Sequence, residues 1–376
     1  MYTQFPTMGW NSWNTFGTDI SEKLICETAD KIVSLGLKEL GYKYICIDDG
    51  WQKKHREDGK LVPDPEKFPN GIKAVADYVH NLGLKLGIYS CAGTLTCAGY
   101  PGSADYEFVD AETFAEWEVD FLKYDYCYSS VEIIPTHLSY RRMGIALANC
   151  KRKILYNACV WGASEAQDWI KSTGANSWRT TGDIFDSWES IKSLIEKNVK
   201  HLHTNGQGCF GDMDMLVVGM KGKGNVGITG CTKDEYFTHF AIWSMFNSPL
   251  MIGCDIREID EESLKVLTNK EIISINQDSD GRAPIALNEF DTLTPAYVKI
   301  LSDGTLALSI TNLKDEESMC PYVNEDRMGI NSCWGKTIEF VDLETGEKLY
   351  TNNRNLLLKF RPHQTRIFKG KLIDAR

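Results

Sequence analysis

Residues 122–128 read LKYDYCY. The aromatic and aliphatic residues give the stretch the character of a buried β-strand, yet it carries Lys123 and Asp125 two residues apart. Side chains alternate along a strand, so both project to the same side. Burying an ionised carboxylate or ammonium without a partner is costly, and charged pairs in strand cores are uncommon. The stretch reads either as a structural ion pair or, the stronger reading, as a strand end that delivers two charged groups into a polar site.

Outward from it the same pattern repeats. PTMGW, KYICIDDGW, LKLGIYSCA, LKYDYC, KILYNACVW, SWRTT, DMLVVG and PLMIGCD read as eight short strands. Helical stretches lie between them: residues 21–41 put Ile25, Ala29 and Ile32 on one face, and DAETFAEWEV reads as a helix with Asp110 as its N-cap. Eight β/α repeats of this length predict an α/β fold, a (β/α)8 TIM barrel over residues 1–282. The character changes after NQDSDGRAP (276–284). TLALSI (305–310) alternates, and TIEFVDLETGEKLY reads as two strands around a Thr-Gly turn. Residues 286–376 are therefore expected to form a small C-terminal antiparallel β-sandwich.

Bulk composition narrows the function. The 376 residues carry 41 Lys and Arg against 52 Asp and Glu, a net charge of −11. That balance argues against nucleic acid and anionic membranes and for a small-molecule partner. There is no run of 18 apolar residues and no basic start followed by an apolar run, so neither a transmembrane helix nor a signal peptide is expected. Twelve cysteines at scattered spacings then read mostly as free thiols of a cytoplasmic protein. No zinc-like Cys/His spacing appears, and His201 and His203 read as ordinary histidines near an element end. No metal and no cofactor is expected.

In a barrel of this kind the active site lies at the C-terminal ends of the strands, and the polar groups fall there. Asp48 and Asp49 end the second strand, Lys123 and Asp125 the fourth, and Arg179 and Asp183 follow the sixth. Asp212 and Asp214 precede the apolar part of the seventh, and Trp10, Trp13, Trp51, Tyr89 and Trp161 stand near other ends. Carboxylates accept from hydroxyls and flat rings cover the apolar face of a pyranose, so acids and aromatics in one mouth describe a sugar site. Glycoside hydrolysis needs two carboxyl groups. Asp125 is the candidate nucleophile, kept ionised by the neighbouring Lys123, and Asp183, on the loop TTGDIF, the candidate acid/base. Lys123 is a poor Schiff-base lysine, because a carboxylate on the same face raises its pKa. A non-catalytic carbohydrate-binding protein is the remaining alternative and needs neither Asp125 nor Asp183.

MGWNSWNTF, IDDGW, TCAGYPGS, LKYDYC, NSWRTTGDI and SINQD, in that order, resemble the motifs of glycoside hydrolase family 27, the α-galactosidases and α-N-acetylgalactosaminidases. The resemblance runs from about residue 6 to 282, and the β-domain that follows also fits. It implies a retaining mechanism through a covalent glycosyl-enzyme, without a metal, on oligosaccharides ending in an α-galactosyl group. Asp125 matches the nucleophile and Asp183 the acid/base. Asp48 and Asp49 match the acids that hold the 4- and 6-hydroxyls, Lys123 the lysine of the 3-hydroxyl, and Arg179 the arginine near the 2-position. Trp13 and Tyr89 match wall residues, and Cys97 and Cys127 a pair that the family often joins as a disulfide.

Three departures bear on specificity. The family's C-E-W or C-Q-W is here Cys159-Val160-Trp161, with Ala163 three residues beyond Val160. Valine neither donates nor accepts. An apolar Val160 beside a small Ala163 would suit an acetyl methyl, which makes α-N-acetylgalactosaminides the alternative substrates. Drift in a variable loop, with Arg179 alone serving the 2-hydroxyl, is the favoured reading. The family's W-N-D-P-D-M is here Phe210 to Met215, of which Asp214 and Met215 join the expected substrate-binding set. Cys91 stands where an aspartate is usual. The paired acids Asp48 and Asp49 argue against the β-L-arabinopyranosidase branch.

Overall fold

The computed structural model describes residues 3–129, 134–287, 293–320, 323–330, 335–351 and 356–374. Eight parallel strands form one curled sheet: β1 (Met8–Asn11), β2 (Tyr44–Cys46), β3 (Lys85–Cys91), β4 (Phe121–Asp125), β5 (Leu155–Ala158), β6 (Ser177–Arg179), β7 (Phe210–Asp212) and β8 (Leu250–Ile252). Sequential strands are neighbours, and β8 returns to pair with β1. Between them run α1 (Trp13–Phe16), α2 (Glu22–Ser34), α3 (Gly71–Asn81), α4 (Glu107–Glu116), α5 (Thr136–Asn149), α6 (Trp188–Asn198) and α7 (Lys233–Met245), with α8 (Glu261–Leu267) and α9 (Lys270–Asn276) after β8. None of the described helices is long and apolar enough to cross a membrane.

The strand alternation sorts the side chains into two cores. On β4, Leu122 and Tyr124 join the large core between sheet and helices. Phe121 points the other way, into a lumen cluster with Tyr44, Cys46, Leu155, Met215 and Met251. Lys123 and Asp125 stand two and four residues above Phe121 on that same inner side. The inner face of β4 thus climbs from an apolar floor to charge at the mouth. β5 repeats this with Leu155 below Asn157, and β6 places Ser177 below Arg179. On α2 the expected Ile25, Ala29 and Ile32 are buried, and Ser21 caps the helix by accepting from Leu24 N.

Two elements differ from the sequence reading. Asp110 is not an N-cap: α4 begins at Glu107, and Asp110 lies inside it, fully buried in a bidentate pair with Arg56 at 2.7 Å. The seventh strand is Phe210–Asp212 rather than DMLVVG. Asp214 adopts φ 79°, which breaks the strand, and Val217 N donates to His239 Nε2 at 3.0 Å instead of to a neighbouring strand. Only Leu216 of the expected strand bridges to Ile252, and it closes the ring by donating to Met251 O and accepting from Gly253 N.

Beyond α9 the chain changes to antiparallel pairing. The strands β9 (Ile285–Ala286), β10 (Ala296–Ile300), β11 (Leu306–Thr311), β12 (Ser318–Cys320), β13 (Lys336–Asp342), β14 (Lys348–Tyr350), β15 (Leu358–Phe360) and β16 (Thr365–Asp374) make a six-stranded sheet and a two-stranded one, β12 with β15. Leu308, Ile310, Phe340 and Phe368 pack with Val323, Leu358 and Phe360 as their core. The expected Thr-Gly turn joins β13 to β14. This unit shares its packing with the barrel: Tyr297 meets Phe246 edge-on, and His363 stacks on Trp188.

Candidate active site

The strand ends converge on one cleft of about 420 Å³, counting space open to solvent. Trp13, Asp48, Tyr89, Cys97, Lys123, Asp125, Trp161, Arg179, Asp183, Asp214 and Met215 line it, joined by Asn14, Ile184 and Val226, which the sequence reading missed. Asn14 stood unread within MGWNSWNTF, and Ile184 follows Asp183. Val226 lies in a glycine-rich loop that carries no signal of its own.

Asp125 tops β4 and is buried. Its Oδ2 accepts from Tyr89 OH at 3.1 Å and its Oδ1 from Tyr126 N at 2.9 Å, so both oxygens are held in orientation. Burial raises its pKa, and the opposing pull of Lys123 and Tyr126 N does not cancel that rise. The weaker of the two sequence readings, a structural Lys123–Asp125 ion pair, does not hold, because the partner of Lys123 lies at the end of another strand. Lys123 Nζ donates to Asp48 Oδ2 at 2.8 Å, and that same oxygen accepts from Asn11 Nδ2 at 2.8 Å. Burial works against the lysine charge, but Asp48, with Asp125 and Asp214 farther off, holds the ammonium well above its ordinary range. A Schiff-base lysine needs the opposite shift.

The other members of the expected set separate by position. Asp49 does not reach the cleft lining. Its carboxylate accepts from Gly50 N and Ala98 N, each at 2.8 Å, and so ties the end of β2 to the loop that carries Cys97. Burial pushes its pKa up to about 6. Cys97 and Cys127 are joined as a disulfide, Cα to Cα 5.1 Å, with Cys97 toward the cleft and Cys127 behind it. Eight other described cysteines are free thiols. Val160 is fully buried in the outer core and Ala163 packs against that core; neither is among the residues that line the cleft. Trp10 and Trp51 are likewise core residues, anchored by their indole N–H groups to Cys254 O and Tyr89 O. His201 packs edge-on against Trp178 and does not line the cleft.

Arg179 is the hinge of the far wall. Its Nη2 donates to Asp183 Oδ1 at 3.1 Å and its Nη1 meets Asp214 Oδ1 at 3.0 Å, while the buried Nε has no hydrogen-bond partner among the described residues. The Asp183 side chain is 58% exposed. Burial pushes its pKa up, but Arg179 and Lys123 outweigh it and hold the carboxyl below the usual range. Asp214 is buried, and burial raises its pKa despite Arg179. Its Oδ2 accepts from Ile184 N at 2.8 Å, so it fastens the loop that presents Asp183. Beneath, Asn157 Nδ2 donates to Asp212 Oδ2 at 2.8 Å and Asp212 Oδ1 accepts from Asp214 N, a polar layer that supports the charged one.

A cleft with three carboxyl groups, Asp125, Asp183 and Asp214, a Lys123–Asp48 pair and three aromatic walls suits a sugar, and comparison with known proteins agrees. Residues 5–278 match the family model described as alpha galactosidase A. The chain is 45% identical over 314 residues to an α-galactosidase of Cyamopsis tetragonoloba, covering 82% of this chain and 73% of that protein. It is 50% identical over 278 residues to one of Coffea arabica, covering 73% and 71%. The crystal structure of α-galactosidase I from Mortierella vinacea superposes with a TM-score of 0.90 at 34% identity, over 99% of this chain and 98% of that one. A Saccharomyces cerevisiae α-galactosidase solved with raffinose superposes at 0.85 with 29% identity, over 98% of each chain. The chain belongs to the α-galactosidase family, glycoside hydrolase family 27.

Proposed function

We propose that this chain hydrolyses terminal α-linked galactosides with retention of configuration, using Asp125 as nucleophile and Asp183 as acid/base. The observation that carries the reading is the buried Asp125 carboxylate, oriented by Tyr89 and Tyr126 N at the floor of a cleft whose wall holds the exposed Asp183. Asp125 attacks the anomeric carbon as the glycosidic C–O bond breaks, and Asp183 gives its proton to the leaving oxygen. In the second step Asp183 takes a proton from water, the water oxygen attacks the same carbon, and the bond to Asp125 breaks. Two inversions return the α-anomer.

The free protein is poised one contact short of this state. Asp183 sits ionised against Arg179, whereas the first step needs it protonated. A sugar 2-hydroxyl at the arginine competes for that guanidinium and frees Asp183 to take up the proton. The Lys123–Asp48 pair supplies donors and acceptors for the other ring hydroxyls. Asp49 acts through the Cys97 loop rather than by contact with the sugar.

Galactosides are preferred over N-acetylgalactosaminides in this reading, because Val160 lies in the core and leaves the 2-position to Arg179. Oligosaccharides with a terminal α-galactosyl group are the expected natural class. The test compares kcat/KM on p-nitrophenyl α-galactoside with that on its α-N-acetylgalactosaminide, and follows the first-formed anomer by NMR. A strong galactoside preference with α-galactose appearing first is the expected result. Preference for the acetylated sugar would reverse the specificity, and β-galactose appearing first would end the double-displacement reading.

A further inference from the structure

We propose that reduction of the Cys97–Cys127 disulfide opens a binding site for a thiophilic divalent cation such as Zn²⁺ or Cd²⁺, made of the two sulfurs and the Asp125 carboxylate, and that filling it stops turnover. Both sulfurs and a carboxylate oxygen of Asp125 lie within 4.8 Å of one another. Donors around a four-coordinate zinc stand about 3.5 Å apart, given bonds of about 2.0–2.3 Å. The three groups are thus close to a ligand set once the sulfurs part. Thiolates select such metals over magnesium or calcium. The fourth position faces the cleft, where a water can complete the tetrahedron.

The frame holding these groups does not depend on the S–S bond. Cys127 lies in the turn two residues beyond Asp125, the last residue of β4, and its carbonyl accepts from the Cys91 thiol at 3.1 Å. Cys91 is the residue that replaces the family's usual aspartate, so in this chain a thiol braces the Cys127 backbone. The Cys97 loop is pinned separately, by Ala98 N to Asp49 and by the Thr96 N to Tyr100 O bond at 2.7 Å. Tyr89 OH lies 3.3 Å from Cys97 Sγ and 3.1 Å from Asp125 Oδ2, a second layer that orients two of the three ligands. In a reducing compartment the pair would stand as a dithiol.

The steps balance. A dithiol reductant gives two electrons and two protons to the disulfide and leaves as its own disulfide. The cation then displaces the two thiol protons and binds both thiolates and the carboxylate. With its oxygens engaged by the metal, Asp125 cannot attack carbon. The loss of turnover rests on the proposed role of Asp125, whereas the metal binding does not.

The test uses the full chain, reduced with dithiothreitol, freed of the reagent under argon and titrated with CdCl₂. The thiolate-to-metal absorbance reports binding, and turnover is read in the same samples. Reduced protein should gain one cadmium with that band, lose activity in step with occupancy, and recover on adding EDTA. Oxidised protein should keep its activity at the same cadmium concentration. Reduced Asp125→Asn should bind cadmium about tenfold or more weakly, a readout that needs no activity. Reduced Cys97→Ser/Cys127→Ser, the blank for the other thiols, should lack both the stoichiometric band and the inhibition. Equal inhibition of oxidised and reduced protein would overturn the proposal. So would an unchanged affinity in Asp125→Asn, inhibition that persists in the double variant, or unfolding of the chain on reduction. If Asp125→Asn stays active yet binds cadmium weakly, the nucleophile assignment fails and the metal site stands.

Discussion

Two strand lysines among the described residues are withdrawn from solvent, Lys299 buried and Lys123 with 12% of its side chain exposed, and they meet opposite fates. Lys123 stands at the barrel mouth with its Nζ 2.8 Å from the Asp48 carboxylate. Lys299, on β10, enters the junction between the second sheet and the barrel, where Nζ meets Asn247 Oδ1 and donates to Ile275 O at 2.8 Å. Burial disfavours the charge on both. At Lys123 the partner carboxylate more than offsets it, and the ammonium is held above its ordinary range. At Lys299 the bonded partners are neutral; burial prevails over the pull of Asp278, and the pKa falls to about 7. Depth alone does not set the state of a buried charge; the formal charge of its partner does. The site spends that principle on function, keeping a cation next to the sugar.

The largest effect expected is at the residue that Lys123 does not bond. Asp125→Asn removes the nucleophile, and turnover of p-nitrophenyl α-galactoside should fall by about 10⁴-fold or more. The circular dichroism spectrum should stay unchanged. Near-normal turnover would show that another carboxylate attacks. Next comes the pair itself. Lys123→Met leaves Asp48 buried with Asn11 Nδ2 and Asp49 N but no cation. Breaking a buried pair in this way costs about 3–5 kcal/mol, readable in urea unfolding, and galactose binding should be lost with it. A variant as stable as the parent would mean that water already screens the pair.

The sequence made much of this legible, and the limits are physical. LKYDYCY showed which side of β4 faces the lumen, because alternation needs only adjacent residues. The eight-strand ring, the antiparallel unit and the converging acids follow from the same local patterns. What such local patterns do not carry is partner choice. Lys123 and Asp125 are near in sequence, yet register across the sheet sets Tyr89 beside Lys123 and brings the lysine to Asp48 on another strand. Val160 enters the expected set because it stands where the family's C-E-W carries a polar residue; alternation along β5, with Leu155 facing the lumen, puts Val160 with Tyr156 and Ala158 in the outer core. The apolar run LVV draws the expected seventh strand four residues past its true start at Phe210, while the break at Asp214 depends on a backbone conformation that apolar periodicity does not report.

The smallest effect sharpens the contrast between the lysines. Lys299→Met removes a charge whose bonded partners are neutral, leaving Ile275 O and Asn247 Oδ1 without their donor. The cost should be about 1–3 kcal/mol, below that of Lys123→Met. The sharper readout is pH. An unfolded lysine titrates near 10.5 and the folded one near 7. Between these values the unfolded chain binds the extra proton, so this group makes stability rise with pH, by up to about 1.4 kcal/mol per unit. Urea midpoints of the parent at pH 7.5 and 9.5 should therefore show an upward component that Lys299→Met lacks. The charge at Lys123 is retained across the same window, so its variant should leave that component in place. If Lys299→Met keeps the slope, Asp278 and the carbonyl of α9 hold Lys299 charged, and the two lysines are the same case after all.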